Sequence, residues 1–334
     1  MVLSIIVISH NQKEKLKRCV DSIITQDLPF SYEVIISDDA SNDGTWELAQ
    51  YYASQYPQIK AYSCNTSVFQ PANTSDRCGW NKCNAYQYAI GKYIAHVDGD
   101  DFFLAGKDIY KKQVELLEKN TKCSCCMANN YDLFEDEDVS EVKIRHKEGF
   151  KSGAIISSEE YIRKYFREFQ CFVFRRNDSV DPIKLYGRYY DDSVITDHHI
   201  QFGDIVCLDD AGYVYVHSDS SIWSKQVKCN DSIVFAHALY IPSLIPKWTN
   251  AFYSETYHHI QIYKVVRLAL SRHQLKESNL RWINKFDVYL YHAFNRQLNV
   301  KDWFHLLLLL VYLKLLIRFK LNNRLFSKVL KLIV

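Results

Sequence analysis

The sequence predicts an α/β protein, a parallel and doubly wound sheet followed by a helical extension. Three observations predict it. Short apolar runs of strand length alternate with segments of helical period through the first hundred residues, as in βα units. Each run ends in polar or acidic residues, and ligands collect at that edge of an open α/β sheet. The length, 334 residues, suits one large domain with an appendage.

Leu3 to Ile8 reads as a buried strand and Ser9-His10-Asn11 as the loop behind it. Leu16, Cys19, Val20, Ile23 and Ile24 then mark one face of a helix, with Asn11 as its N-cap and Glu14 three residues on. The first glycine of the chain is Gly44. A dinucleotide fingerprint and a phosphate-cradling P-loop both need glycines between the first strand and first helix, so both are excluded. A nucleotide on this sheet is therefore expected to be held by side chains and a metal.

In the second unit Glu33 to Ile36 is the strand, Asp38 to Thr45 a polar loop, and Trp46, Ala49, Ala53 and Tyr56 the inward face of a helix capped by Asp43. Asp38 and Asp39 stand where that strand ends and can accept hydrogen bonds from a base N–H or a ribose hydroxyl. The third apolar run, Tyr93 to Val97, ends in Asp98, Asp100 and Asp101 with Gly99 among them. Two carboxylates one residue apart, with a glycine to let the backbone bend, suit a hard divalent cation that grips phosphate oxygens.

SIIVISHN, EVIISDDASNDGT and GKYIAHVDGDD, in this order and at these separations, resemble the family 2 glycosyltransferases of the GT-A fold over residues 2–224, two thirds of the chain. The resemblance implies a GT-A nucleotide-sugar-binding, doubly wound mixed sheet. It implies a donor site at His10, Asn11, Asp38 and Asp39, with Asp98 on donor or metal and Asp100 as the principal ligand of Mn2+ or Mg2+. Family members often carry an Arg-Asn pair where this chain has Trp80-Asn81-Lys82-Cys83-Asn84. Lys82 becomes a candidate phosphate contact, a plain surface lysine being the other reading. Inverting members place an acidic pair before a helix and a glycine eleven residues after the second acid, the separation of Asp192 from Gly203. Asp192 is thereby the candidate general base, Asp191 the runner-up, and Asp197, one helical turn on, the structural competitor. Where the family commonly reads Tyr-Arg with a nearby His, Val216 replaces the Arg and leaves His217 or Ser218 to close the metal and phosphate site.

Between these landmarks, Tyr110, Val114 and Leu117 mark a helix, and Cys123 to Met127 and Cys171 to Phe174 mark strands. Glu135 to Glu141, EDEDVSE, is a solvated hairpin tip, and Ser157 with Glu160 a capping box opening a helix through Tyr161, Ile162, Tyr165 and Phe166. His198 and His199 are adjacent on a helix and diverge by about 100°, so they do not share one ion. Trp223 is a candidate stacking platform for an acceptor sugar.

The ten cysteines are scattered apart from Cys123, Cys125 and Cys126, and one C-x-x-C without a second pair reads as reduced, buried thiols. The N-terminus lacks a charged n-region and a cleavage site, so the body is expected in the cytosol. The formal net charge is +2 with no polybasic, aromatic-interleaved stripe in the body, so nucleic acid is not an expected partner. Residues 301–334 hold seven Lys or Arg against one acid, and Trp303 to Ile317 is apolar apart from His305 and Lys314. That run is short for a spanning helix and suits an interfacial helix on anionic lipid, at the inner face of the cell membrane.

These readings divide the chain into a GT-A catalytic domain at 1–224, a helical extension at 225–300 and a basic amphipathic helix at 301–334. The expected activity is metal-dependent, inverting transfer from a nucleotide-diphosphate-sugar to a hydroxyl of a lipid-linked glycan, in surface polysaccharide assembly. A noncatalytic sugar-nucleotide or glycan-binding subunit shares the Asp pairs without needing Asp192. A sugar-nucleotide pyrophosphorylase shares the sheet but needs a Gly-rich basic loop after the first strand, which is absent.

Overall fold

The computed structural model describes residues 1–69, 74–146, 149–158, 160–161, 170–177, 187, 190 and 192–219, the side chains of 74–76, 193 and 197 excepted. The chain divides into two compact units, Met1–Ile222 and Trp223–Val334, and every described residue belongs to the first. Asp191, Trp223, the segment 225–300 and the basic tail lie outside the described residues, as does the side chain of Asp197. Among the described residues no helix is long and apolar enough to cross a membrane.

The first strands are β1 (Leu3–Ser9), β2 (Tyr32–Asp38), β3 (Ile59–Ser63) and β4 (Tyr93–Asp98), followed by β5 (Phe102–Phe103) and β6 (Cys123–Phe134). β7 (Lys143–Ile144), β8 (Ile155–Ile156), β9 (Cys171–Arg175) and β10 (Asp204–His217) complete a ten-stranded sheet. Its order is β3-β2-β1-β4-β9-β6-β10-β5, with β7 on β6 and β8 on β10. β1 runs parallel to β2 and β4, and β2 parallel to β3. β9 enters antiparallel between β4 and β6, whereas β10 is parallel to β6. The sheet is therefore mixed, not parallel throughout as the alternation alone suggests. An apolar run such as CFVFR carries no direction in its pattern, since a period of two reads the same both ways.

The helices are α1 (Lys13–Ile24), α2 (Thr45–Gln55), α3 (Thr74–Tyr86), α4 (Ile109–Lys119) and α5 (Asp192–Ile200). Successive strand residues face opposite sides of a sheet, and the two sides here differ in chemistry. Leu3, Ile5, Val7, Val34, Ile36, Tyr93, Ala95 and Val97 share one apolar core with α1, α2 and α4. The alternate positions bury polar groups among isoleucines (Ile6, Ile35 and Ile94). Ser4 Oγ donates to Glu33 at 2.7 Å, and Ser37 Oγ donates at 2.6 Å to Asn81 of α3. His96 and Asp98 stand on this second, polar face of β4, the face that meets α3.

Three local expectations are corrected. Asn11 does not cap α1: the residue before the helix is Gln12, without a side-chain cap bond. The opening amides are met from the second loop, Asn11 N–H by Ser41 Oγ (2.8 Å), Gln12 N–H by Thr45 Oγ1 (2.9 Å) and Lys13 N–H by Asp43 Oδ2 (3.2 Å). On α2 Ala49 is buried as expected, but so are Thr45 and Tyr52, while Trp46 and Tyr56 are only half-buried against the core, and the N-cap is Gly44, with Asp43 standing one residue before it. Gly99 is required for space, not for bending, because its φ is not positive. A Cβ there would lie 2.7 Å from Ile8 O and 2.4 Å from Gln12 Nε2.

The capping expectation at Ser157 holds at its described end, where its Oγ accepts Glu160 N–H at 3.1 Å. Gly203 permits another close approach, since a Cβ there would meet Lys122 O at 2.4 Å, just before β6.

Candidate active site

Register brings the three strand ends to one rim. Ser9 of β1 pairs with Asp38, and Ile8 with Asp98. The backbone stitching continues past the strands, with Asp39 N–H on Ser9 O (2.9 Å) and Gly99 N–H on Ile8 O (3.0 Å).

On the β1–β2 side the loops are tied to each other. Asp38 is wholly buried: its Oδ1 accepts from Ser9 Oγ (3.1 Å) and Ser41 Oγ (2.6 Å), and its Oδ2 from Ser41 N–H (2.9 Å). Asp39 is nearly as buried and accepts from Thr66 N–H (2.8 Å), Thr66 Oγ1 (2.7 Å) and the Arg77 guanidinium (2.6 Å to Nη2). Both carboxylates thus hold the loop from beneath. The exposed groups are His10, whose Nδ1 meets Asp39 O at 2.7 Å, and Asn11, whose Oδ1 accepts Asn42 N–H at 2.9 Å from a left-handed backbone.

On the β4 side the rim is acidic. Burial, then the neighbouring carboxylates of Asp192 and Asp100, push the Asp98 carboxyl up to about 6 against the pull of Lys82. Burial also raises Asp100, with Glu135 adding to the effect and Lys15 opposing it. Asp101 turns away: it is buried, bonded to Tyr213 Oη and to Val216 N–H (2.8 Å) of β10, and raised well above the usual carboxylate range by burial.

Lys82 is not a surface lysine. Its side chain is 4% exposed, and its ammonium lies 3.1 Å from Asp98 Oδ1 and in direct contact with Asp192 Oδ1. Asp192 opens α5 and stays half exposed, its carbonyl accepting Thr196 Oγ1 at 3.0 Å. A cavity of about 30 Å³ lies between these groups, lined among others by His96, Asp98, Phe172, Phe174, Asp192 and Thr196. The structure therefore gathers Asp98, Lys82 and Asp192 in one place, joined to Asp38 through Ser9 and Asn81, whose Nδ2 reaches Ser37 O at 3.1 Å.

The closing residues fall out differently. His217 is held by Asp132, 2.9 Å from its Nε2, and stacks on Phe134. Ser218 donates to Glu135, which also pairs with Lys15 at 2.5 Å, so one acid of the expected hairpin tip reaches the rim beside Asp100. Val216 is buried. His198 and His199 are both fully buried and kept neutral by desolvation, His198 down at about 4.

Sequence reasoning missed His96, Glu135, Lys15 and Arg77 at this rim. His96 was legible in principle, because it lies two residues before Asp98 and hence on the same face. Burial lowers its ring well below the ordinary histidine range, and neither nitrogen has a hydrogen-bond partner among the described residues.

Asp98 and Asp100 fit a hard divalent cation. The donors are oxygens only, and both carboxyls are raised chiefly by burial and further by neighbouring carboxylates, a cost to their charged forms that a bound cation would offset. Among the described residues no three His, Cys, Asp or Glu gather into a cage, so a cation here would complete its shell from a ligand's phosphates and water.

The mixed sheet, with a polar rim of His10 and Asn11 after the first strand and of carboxylates after the second and fourth, is the GT-A fold. Staphylococcus aureus TarS, solved with UDP-GlcNAc, superposes with a TM-score of 0.64 over 87% of this chain and 81% of that one, at 15% identity, a likeness of fold. The chain belongs to glycosyl transferase family 2, whose profile matches residues 4–180. The uncharacterized protein Rv1520 of Mycobacterium tuberculosis is 26% identical over 230 residues, 66% of this chain and 60% of that protein. The poly(ribitol-phosphate) beta-glucosyltransferase of Bacillus spizizenii is 30% identical over 103 residues, 30% of this chain and 15% of that one.

Proposed function

We propose that this chain is a metal-dependent, inverting glycosyltransferase that moves a sugar from a nucleotide-diphosphate-sugar, UDP first among the nucleotides, to a hydroxyl of a membrane-linked glycan. The observation that carries the reading is the junction of Asp98 and Asp192 across Lys82, a donor-side carboxylate beside a half-exposed acid at a helix start. His10 and Asn11 meet the nucleoside, and Asp38 and Asp39 serve it by holding the loop of Ser41 and Asn42 in shape. Asp98 and Asp100 would hold a Mn2+ or Mg2+ ion, which when bound offsets charge on the leaving diphosphate.

Asp192 takes the proton of the acceptor hydroxyl as its oxygen bonds to the anomeric carbon. The bond from that carbon to the diphosphate oxygen breaks on the opposite side, so the configuration inverts. Surface polysaccharide assembly is supported by the name of the Bacillus spizizenii relative, which acts on poly(ribitol-phosphate). Peripheral attachment at the inner face of the membrane rests on the apolar run 303–317 and the basic residues after it.

The test is nucleotide release from UDP-glucose, UDP-galactose and UDP-GlcNAc with Mn2+ or Mg2+, and with chelator as control. Asp192→Asn should lose about 10²- to 10⁴-fold in turnover while still binding UDP. Full activity in that variant would sink the assignment of the base. Release that ignores the chelator would sink the metal.

A further inference from the structure

We propose that Lys82 is a positioning residue that sets Asp192 over the donor site, acting through that acid and not as a clamp on the diphosphate. The inference rests on Asp192 being the base.

Four observations carry it. The side chain of Lys82 is 4% exposed, so its ammonium does not face the open cleft where a diphosphate would lie. Its contacts are two carboxylates from distant segments, Asp98 at the end of β4 and Asp192 at the start of α5. Among the described residues it is the one cation touching Asp192, whose side chain is otherwise half exposed. Its support is rigid: the adjacent Asn81 binds Ser37 Oγ (2.6 Å) and Ser37 O (3.1 Å), and Cys83 reaches Gly187 O at 3.0 Å. A general base must sit within hydrogen-bond reach of its proton, and a displacement of about 1 Å can cost on the order of a hundredfold in rate. Turning Lys82 toward a phosphate would release the acid it holds.

The experiment compares Lys82→Met, Lys82→Arg, Asp192→Asn and the Lys82→Met/Asp192→Asn double variant. Turnover is read as UDP release from whichever UDP-sugar the wild type uses, and binding as the Kd of UDP by calorimetry without Mn2+, since Lys82 also touches Asp98 of the metal pair. Lys82→Met should lose about a hundredfold in kcat with that Kd unchanged within about threefold, and Lys82→Arg should recover most of the loss. The double variant should be no slower than Asp192→Asn, because residues acting through one another are not additive. A Kd weakened tenfold in Lys82→Met, or in Lys82→Arg should the first variant not fold, makes Lys82 a phosphate clamp and overturns the proposal. Losses that multiply in the double variant overturn it as well. Full kcat in Lys82→Met with an inactive Asp192→Asn removes this inference alone, whereas an active Asp192→Asn removes the base and this inference together.

Discussion

Replacing Asp43 by alanine should unseat two helices at once. Its Oδ2 accepts Lys13 N–H at 3.2 Å, the first amide of α1, and its Oδ1 accepts Thr45 N–H at 3.0 Å, the first of α2, as well as the Thr45 hydroxyl. One carboxylate therefore meets the positive ends of two helix dipoles. Losing one helix cap costs about 1 kcal/mol, so Asp43→Ala should cost about 2 kcal/mol. For a unit of 222 residues this lowers the thermal midpoint by about 4–8 °C. Asp43→Asn, with one acceptor oxygen, should fall about halfway.

The pH dependence has a sign. Desolvation works against the Asp43 carboxylate, but the bonds from Thr45 and the backbone amides outweigh it and hold its carboxyl below the ordinary value. The contribution is therefore present at neutral pH and is lost as pH falls through that lowered value, so wild type and Asp43→Ala should converge in acid. Melting followed by circular dichroism at pH 7 and in steps below pH 4 reads both effects. An alanine variant melting within about 1 °C of wild type at pH 7 would refute the double-cap reasoning.

Gly99→Ala forces a methyl against Ile8 O at 2.7 Å, backbone that cannot swing aside. A cost of about 1–3 kcal/mol is expected, together with weaker binding of UDP and Mn2+ because Asp98 and Asp100 flank the displaced residue; unchanged melting and calorimetry would contradict it. Mn2+ binding without nucleotide should weaken by up to about tenfold per pH unit below about 6, since the cation must displace the proton that burial keeps on Asp98. Between about pH 4 and 6 the Asp98 carboxyl of the cation-free fold holds a proton that it has released in the unfolded chain, so the contribution of this one group to stability falls as pH rises through that window, against the buried neutral His96, His198 and His199, whose contributions rise with pH. An affinity for Mn2+ that stays flat from pH 7 to 5 would remove Asp98 from the ligand set.

The strand ends were legible because each depends on a short window: an apolar run, its polar stop, and the rule that parallel strands bring such stops to one edge. His10, Asp38 and Asp98 reach a common rim for that reason. What stayed hidden depends on residues far apart in sequence. Asn11 looked like a cap because Glu14 follows at the right spacing, yet the amides of α1 are met by Ser41, Asp43 and Thr45, about thirty residues on. Lys82 sits in a polar helical stretch where lysine ordinarily faces water, and the acid that draws it inward comes 110 residues later. Nor does a period-two pattern reveal that β9 runs against its neighbours.

The insertion of β9 also bears on how the chain is built. On a ribosome, β1 to β4 emerge first and can pair among themselves, which leaves one flank of β4 open until residues 171–175 have been made. A bare strand flank of buried-type residues is a template for the wrong partner. Fragments that stop short of Cys171 should therefore associate through that flank, and those reaching past Arg175 should carry their own seal.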